Sequence, residues 1–319
     1  MKITNRDSYF DNLRGFFLIC VIVGNSLEYV SPTCIDPHYF ILFLYMFHMP
    51  ALTFISGYFC KKSNRTTQQK VLDTFKIYFY AQTFYYLLSI IAFQNYGLRI
   101  EYLRPNWTLW YLFALTAFYI ISDYIKNYRT ALPVSIIISL ILGLDVSFTA
   151  QASAARIIFF LPFFIAGLGF EKKHLELVKK HLWKFIVISL LSLGILYVLK
   201  DETSVELLFE YTNYTFYYDT STYPLFIRVL HYIGAFSILG VIFSICTSKK
   251  TSISWIGKNS LYIYVSHAAI IQLMVKFRLF KIDTPLQIII SELLLIIILC
   301  LITYLYLNIK NKIKFKVDR

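Results

Sequence analysis

About ten apolar runs, each long enough to cross hydrocarbon, dominate this chain: 13–30, 39–59, 71–94, 107–124, 131–149, 154–170, 183–199, 225–246, 259–275 and 286–308. Inside a bilayer every backbone N–H and C=O must be paired within the protein, so a spanning segment is a helix or a strand of a closed barrel. Runs of this length without strict alternation are helices. The expected fold is an all-α integral membrane protein, a bundle of about ten transmembrane helices. Composition points the same way, because 58% hydrophobic and only 15% charged residues over 319 positions are too apolar for a soluble chain.

A net charge of +13 would suit nucleic acid, but cytoplasmic loops of membrane proteins collect lysine and arginine, so topology comes first. With the N-terminus inside, the inner segments hold Lys2, Arg6 and Arg14, then Lys61, Lys62, Arg65 and Lys70, the pairs Lys126/Arg129 and Lys249/Lys250 with Lys258, a run from Lys172 to Lys184, and the tail from Lys310 to Arg319. The outer segments hold Arg99, Arg104, Lys200, Arg228, Lys276, Arg278 and Lys281. This asymmetry of about three to one places both termini in the cytoplasm and accounts for the charge without nucleic acid. The 5 cysteines are scattered and lack metal-type spacing, so neither a disulfide framework nor a zinc site is expected. No cleavable signal peptide is apparent. Residues 1–319 read as a single transmembrane domain with no appended soluble domain.

Polar residues at membrane depth are where chemistry is expected. Arg14 and Asn25 are eleven residues apart, about three helical turns, so both leave one helix face about 16 Å apart along the axis. One sits at the interface and the other near the midplane, which suggests a passage leading inward from the cytoplasm. A snorkelling arginine and an asparagine that only bonds a neighbouring helix would give the same pattern. His48 and His267 fall near the depth of Asn25, and Glu28, one turn outward, is placed to pair with a histidine or a hydroxyl. Lys76, Arg156 and His231 are the other ionisable candidates. Toward the outside, Trp107, Trp110, Arg156, Arg228 and His231 form an aromatic and cationic set suited to a carbohydrate; an ordinary interfacial belt is the alternative. The acidic, tyrosine-rich loop at about 200–224 could also touch a sugar. Toward the inside, Arg14, Lys61, Lys62 and Lys258 could hold phosphates of a cytosolic ligand.

Six segments in order, YFDNLRG (9–15), VIVGNSLE (21–28), FHMPALTFISGYF (47–59), NWTLWYL (106–112), RIIFFLPFFIAGLGF (156–170) and WIGKNSLYIYVSH (255–267), resemble the acyltransferase 3 family of integral membrane O-acetyltransferases, with the fucose 4-O-acetylase-like branch looking closest. The resemblance implies transfer of an acetyl group from cytosolic acetyl-CoA, without a metal, to a hydroxyl of a cell-surface polysaccharide or lipid-linked oligosaccharide precursor, in the plasma (inner) membrane of a bacterium. The family's signature is an arginine, ten residues and a histidine in the first helix. Arg14 matches the arginine and is implied to help place the CoA phosphates; His48 and His267 match further polar positions. Position 25 is asparagine instead. An amide can donate to a thioester carbonyl but cannot take a proton, so a base at His48 or His267 is then required. An active enzyme with a displaced base, an inactive relative, an introduced replacement of histidine, and a non-catalytic glycan export or binding protein all remain open on the residues alone.

Overall fold

The computed structural model describes residues 7–147, 151–209 and 213–317, and every regular element among them is a helix. In chain order these are α1 (Ser8–Val30), α2 (His38–Lys62), α3 (Thr67–Phe93), α4 (Trp110–Ser122), α5 (Tyr128–Leu142), α6 (Ala154–Gly169), α7 (Lys172–Lys180), α8 (Leu182–Val198), α9 (Val205–Phe209), α10 (Thr222–Ile245), α11 (Ser252–Lys258), α12 (Ser260–Lys276) and α13 (Pro285–Val317). Each apolar run overlaps one of α1–α6, α8, α10, α12 or α13. By length and composition 5 helical segments can cross a bilayer unaided: α1, α2, Gln151–Gly169, α10 and Pro285–Ile313. Helices α7 and α8, bent by 72° at their junction, make a sixth if counted as one broken span. The protein is a multi-pass, all-helical membrane protein. Of the basic residues expected inside, Lys2, Arg6 and Arg319 lie outside the described residues, as do Glu210, Tyr211 and Thr212 of the acidic loop.

Lipid-facing surfaces are visible as rows of exposed apolar side chains. Ile186, Val187, Leu190 and Leu191 on α8, and Ile290, Leu293, Ile297 and Leu301 on α13, recur at helical spacing. In water such rows would be aggregation surfaces; against acyl chains they are the matched solvent face.

The fifth apolar run, expected to reach 149, leaves the helix at Leu142. Beyond Gly143, Asp145 accepts hydrogen bonds at Oδ1 from the Ser147 backbone N–H (2.9 Å) and hydroxyl (2.8 Å), a local turn that competes with helix. Those bonds hold the Asp145 carboxyl below its ordinary range. Residues 148 and 149 lie outside the described part. Helices α7, α9 and α11 lie between the apolar runs, where the sequence reading expects no helix.

The chain divides into two compact units. One is built from its ends and contains α1 with α11, α12 and α13; the other, His38–Ile245, contains α2–α10. In the first, α1 meets α11 backbone to backbone: a Cβ on Gly257 would strike the Asp11 carbonyl, and one on Gly15 the Ile253 carbonyl. In the second, α2 and α6 cross through reciprocal glycines. A Cβ on Gly57 would strike the Phe164 carbonyl, and one on Gly167 the Phe54 carbonyl. Without a hydrophobic drive between helices in lipid, such close approach is how packing contributes stability. Replacing Gly167 by Ala is therefore expected to force α2 and α6 apart and to cost about 1–3 kcal/mol, the range for overpacking. Denaturant unfolding in detergent measures this, and an unchanged midpoint would remove the glycine crossing as a determinant of stability.

Candidate functional site

In the unit built from the chain ends, α1 carries buried polar residues along its length. Near its start, Asn12 donates from Nδ2 to the carbonyls of Thr247 and Lys249 (both 2.8 Å) and accepts at Oδ1 from the hydroxyls of Thr251 (2.7 Å) and Ser254. One amide thus satisfies the turn before α11 and ties that helix to α1. Arg14 is half-buried beside Gly15, and Lys258 is exposed beside Gly257, so two of the candidate phosphate ligands flank one helix crossing.

Three turns along α1, Asn25 Nδ2 lies 3.0 Å from His267 Nε2 on α12, with both side chains buried. The other ring nitrogen, Nδ1, is 2.5 Å from the Tyr264 carbonyl oxygen. A carbonyl only accepts, so Nδ1 carries the hydrogen and Nε2 presents its lone pair. The Asn25 amide therefore donates to His267. The imidazole is held in the tautomer a general base needs, with its basic nitrogen covered by an amide hydrogen.

The next residue, Ser26, is fully buried and faces α13, where its hydroxyl meets Glu292 Oε1. The same Oγ lies 3.0 Å from the Val23 carbonyl in its own helix. Glu292 is 7% exposed, and its Oε2 has no hydrogen-bond partner among the described residues. The sequence expectation passed over this residue. The signal that singled out Asn25, a polar group within an apolar run, is present in IIISELLLIIIL and would have found it. Glu28 is half-buried one turn beyond Asn25, and its backbone carbonyl accepts from the Ser31 hydroxyl (2.9 Å).

The remaining expected site residues lie in the second unit. His48 on α2 is buried and donates from Nδ1 to the Leu44 carbonyl (2.6 Å), which leaves Nε2 as its accepting nitrogen. His231 on α10 lies against Phe159, with ring centroids 5.0 Å apart. Arg228, only 4% exposed, lies over two aromatic rings, 4.4 Å from Tyr214 and 5.4 Å from Phe159. Arg156 lies 4.9 Å over the Trp110 ring and donates from Nε to the Phe209 carbonyl (3.1 Å). Trp110, Arg156, Arg228 and His231 thus gather around the aromatic rows of α6, and half-buried Trp107 begins the 3-10 turn that leads into α4. Tyr214, from the acidic loop, turns inward: its N–H donates to Gly143 O (2.8 Å) and its hydroxyl to Leu140 O (3.0 Å).

Lys61 and Lys62 end α2. Lys62 contacts the Tyr58 hydroxyl and lies 4.1 Å from that ring, and Lys61 lies 5.2 Å from the Tyr128 ring. Lys61 also lines a cavity of about 560 Å³ with apolar walls that include Phe54, Phe185 and Phe243, and a polar rim that includes Arg129, Glu171 and Lys173. The Glu171 carboxyl, paired with Lys173 at 2.7 Å, is held below its ordinary range by that ammonium. No group of three or more His, Cys, Asp or Glu among the described residues is arranged to hold a metal ion.

Residues 7–307 match the family model described as an acyltransferase domain, acyltransferase 3. No curated protein and no solved structure matches the chain.

Because Asn12 satisfies four groups at once, Asn12→Ala is expected to strand them and to cost about 1–3 kcal/mol. The turn at 247–251 would loosen first, so faster tryptic cleavage after Lys249 or Lys250 is the direct readout. A cleavage rate equal to wild type would show that α11 is held by other contacts.

Proposed function

The chain belongs to the acyltransferase 3 family, and from that membership we propose that it is a plasma-membrane O-acetyltransferase of the fucose 4-O-acetylase-like branch, acting in a bacterial inner membrane. It moves an acetyl group from cytosolic acetyl-CoA to a hydroxyl of a cell-surface polysaccharide or lipid-linked glycan precursor. All ten apolar helices cross the bilayer in this reading, and both termini face the cytoplasm, in keeping with the lysine and arginine asymmetry.

The observation that carries the reading is the buried Asn25–His267 hydrogen bond. An acyl transfer needs a base for the acceptor hydroxyl and donors for the tetrahedral oxyanion. His267 holds Nε2 as a lone pair, and the hydrogen it accepts from Asn25 marks where an acceptor O–H would dock. When the hydroxyl takes that place, Nε2 receives its proton, the oxygen attacks the thioester carbonyl, and the C–S bond breaks to release CoA. Asn25, displaced from the ring, donates to the oxyanion. Glu28, one turn outward, and His48 are the further proton-handling candidates. Arg14, Lys258, Lys61 and Lys62 are assigned to the phosphates of acetyl-CoA, and Trp107, Trp110, Arg156, Arg228 and His231 to the sugar, through stacking and guanidinium contacts.

Asparagine at position 25 also favours a second reading, a relative impaired in catalysis. A histidine there could donate one N–H to His267 and keep its other nitrogen as the base, so His267 would act as an orienting acceptor.

Two outcomes are expected. Cys34 is exposed in the loop after α1, outside the cell in this orientation, so a membrane-impermeant maleimide should label intact cells there and fail on Cys34→Ser. Labelling confined to inverted vesicles would reverse the topology. Proteoliposomes given isotopically labelled acetyl-CoA and surface glycan should move label to glycan, and Asn25→His should maintain or raise the rate. A rise of about 100- to 10,000-fold identifies the impaired reading, and label that stays in the donor for both proteins excludes the transferase.

A further inference from the structure

The contact between Ser26 and Glu292 has one hydrogen too few if the carboxyl is ionised. Ser26 Oγ carries one hydrogen and faces two oxygens, Val23 O at 3.0 Å and Glu292 Oε1. With Glu292 ionised, the hydroxyl can satisfy only one of them, and Oε2 is left as a buried charged oxygen without a partner among the described residues. With Glu292 protonated, the carboxyl donates to Ser26, the hydroxyl donates to Val23 O, and Oε2 is a neutral carbonyl oxygen. Only the second arrangement satisfies both contacts, and it removes the cost of an isolated charge in hydrocarbon. Adjacent residues of a helix point about 100° apart. Asn25 and Ser26 therefore engage two different neighbours, His267 on α12 and Glu292 on α13, at one level of α1.

We propose that the Ser26–Glu292 pair is the proton donor of the transfer site, Glu292 holding a proton at rest and passing it through Ser26 to the departing thiolate. The proposal rests on the acyl-transfer reading and adds the acid to its base. The acceptor hydroxyl gives its proton to His267 Nε2 as its oxygen bonds to the acyl carbon. The C–S bond breaks with its electron pair on sulfur, Ser26 gives its hydrogen to that sulfur, and Glu292 replaces it. The proton on His267 then returns to Glu292, so the cycle closes without any further reactant. Ser26 touches the reacting sulfur; Glu292 acts behind it as a proton reservoir and positioning residue.

Glu292→Gln tests this, because a glutamine N–H can still donate to Ser26 and preserve the packing while no proton is available for transfer. With acetyl-CoA, kcat of E292Q should fall about 100- to 10,000-fold with KM little changed. With an acetyl thioester of an acidic aromatic thiol, whose thiolate leaves without protonation, E292Q should run close to the wild-type rate. Infrared spectroscopy with ¹³C-labelled glutamate should show a protonated buried carboxyl at neutral pH that is absent from E292Q. An equal loss with both donors would assign Glu292 a structural role, and undiminished activity or no protonated carboxyl would also overturn the proposal. Wild-type protein and Asn25→His both inactive with both donors would instead sink the acyl-transfer reading, and this relay with it.

Discussion

Hydrocarbon offers no hydrogen-bond partner, so each polar group carried into the bilayer must find its complement on another part of the chain. In the unit made from the two chain ends this requirement is met along one helix. Asn12 satisfies a turn, Asn25 satisfies an imidazole, and Ser26 meets a carboxyl, each on a segment more than 200 residues away in sequence. These contacts fix rotation as well as position. A helix turned by one residue would withdraw Asn25 from His267 and bring Leu27 to face Glu292, stranding the carboxyl. The register that places a basic nitrogen and a carboxyl at one level thus follows from satisfying buried polar groups, which are costly to leave unmatched.

The second unit answers the same constraint with aromatic faces. Arg228 brings a guanidinium into a buried site and lies over two aromatic rings, Tyr214 and Phe159, with Nη1 directed at the Ser139 carbonyl at 3.4 Å. Arg156 is treated alike by Trp110. A cation whose charge is offset by ring quadrupoles keeps its N–H edge oriented, which is the form in which arginine meets a sugar hydroxyl or a phosphate. Tyr214 contributes one of the rings from the loop that links α9 to α10, so the acidic segment is partly structural.

Much of the fold was legible because lipid compatibility is written into composition: every long apolar run overlaps a helix, the fifth only as far as Leu142. The short helices were not, since α11 depends on an asparagine 239 residues from Thr251 and has little hydrophobic signal of its own. Depth estimates put Asn25 and His267 at one level, but only packing can say that α1 and α12 present these faces to each other. Depth also grouped His48 with them, and it resides in the other unit with the Leu44 carbonyl as its Nδ1 partner. Glu28 was the carboxylate expected near the buried histidine. A further carboxyl meets the buried face of α1 from α13, and Glu292 carries the same sequence signal as Asn25.

The chain order of the contacts has a consequence for biosynthesis. Helix α1 emerges from the ribosome before His38–Ile245, and its partners α11, α12 and α13 are made only after that whole segment. Throughout that interval Asn12, Asn25 and Ser26 wait without the groups that complete them. The polar face of α1 is completed only when those later segments have been inserted. A chain that stops before Cys246 would leave α1 in the bilayer with Asn12, Asn25 and Ser26 lacking the partners they have in the folded unit.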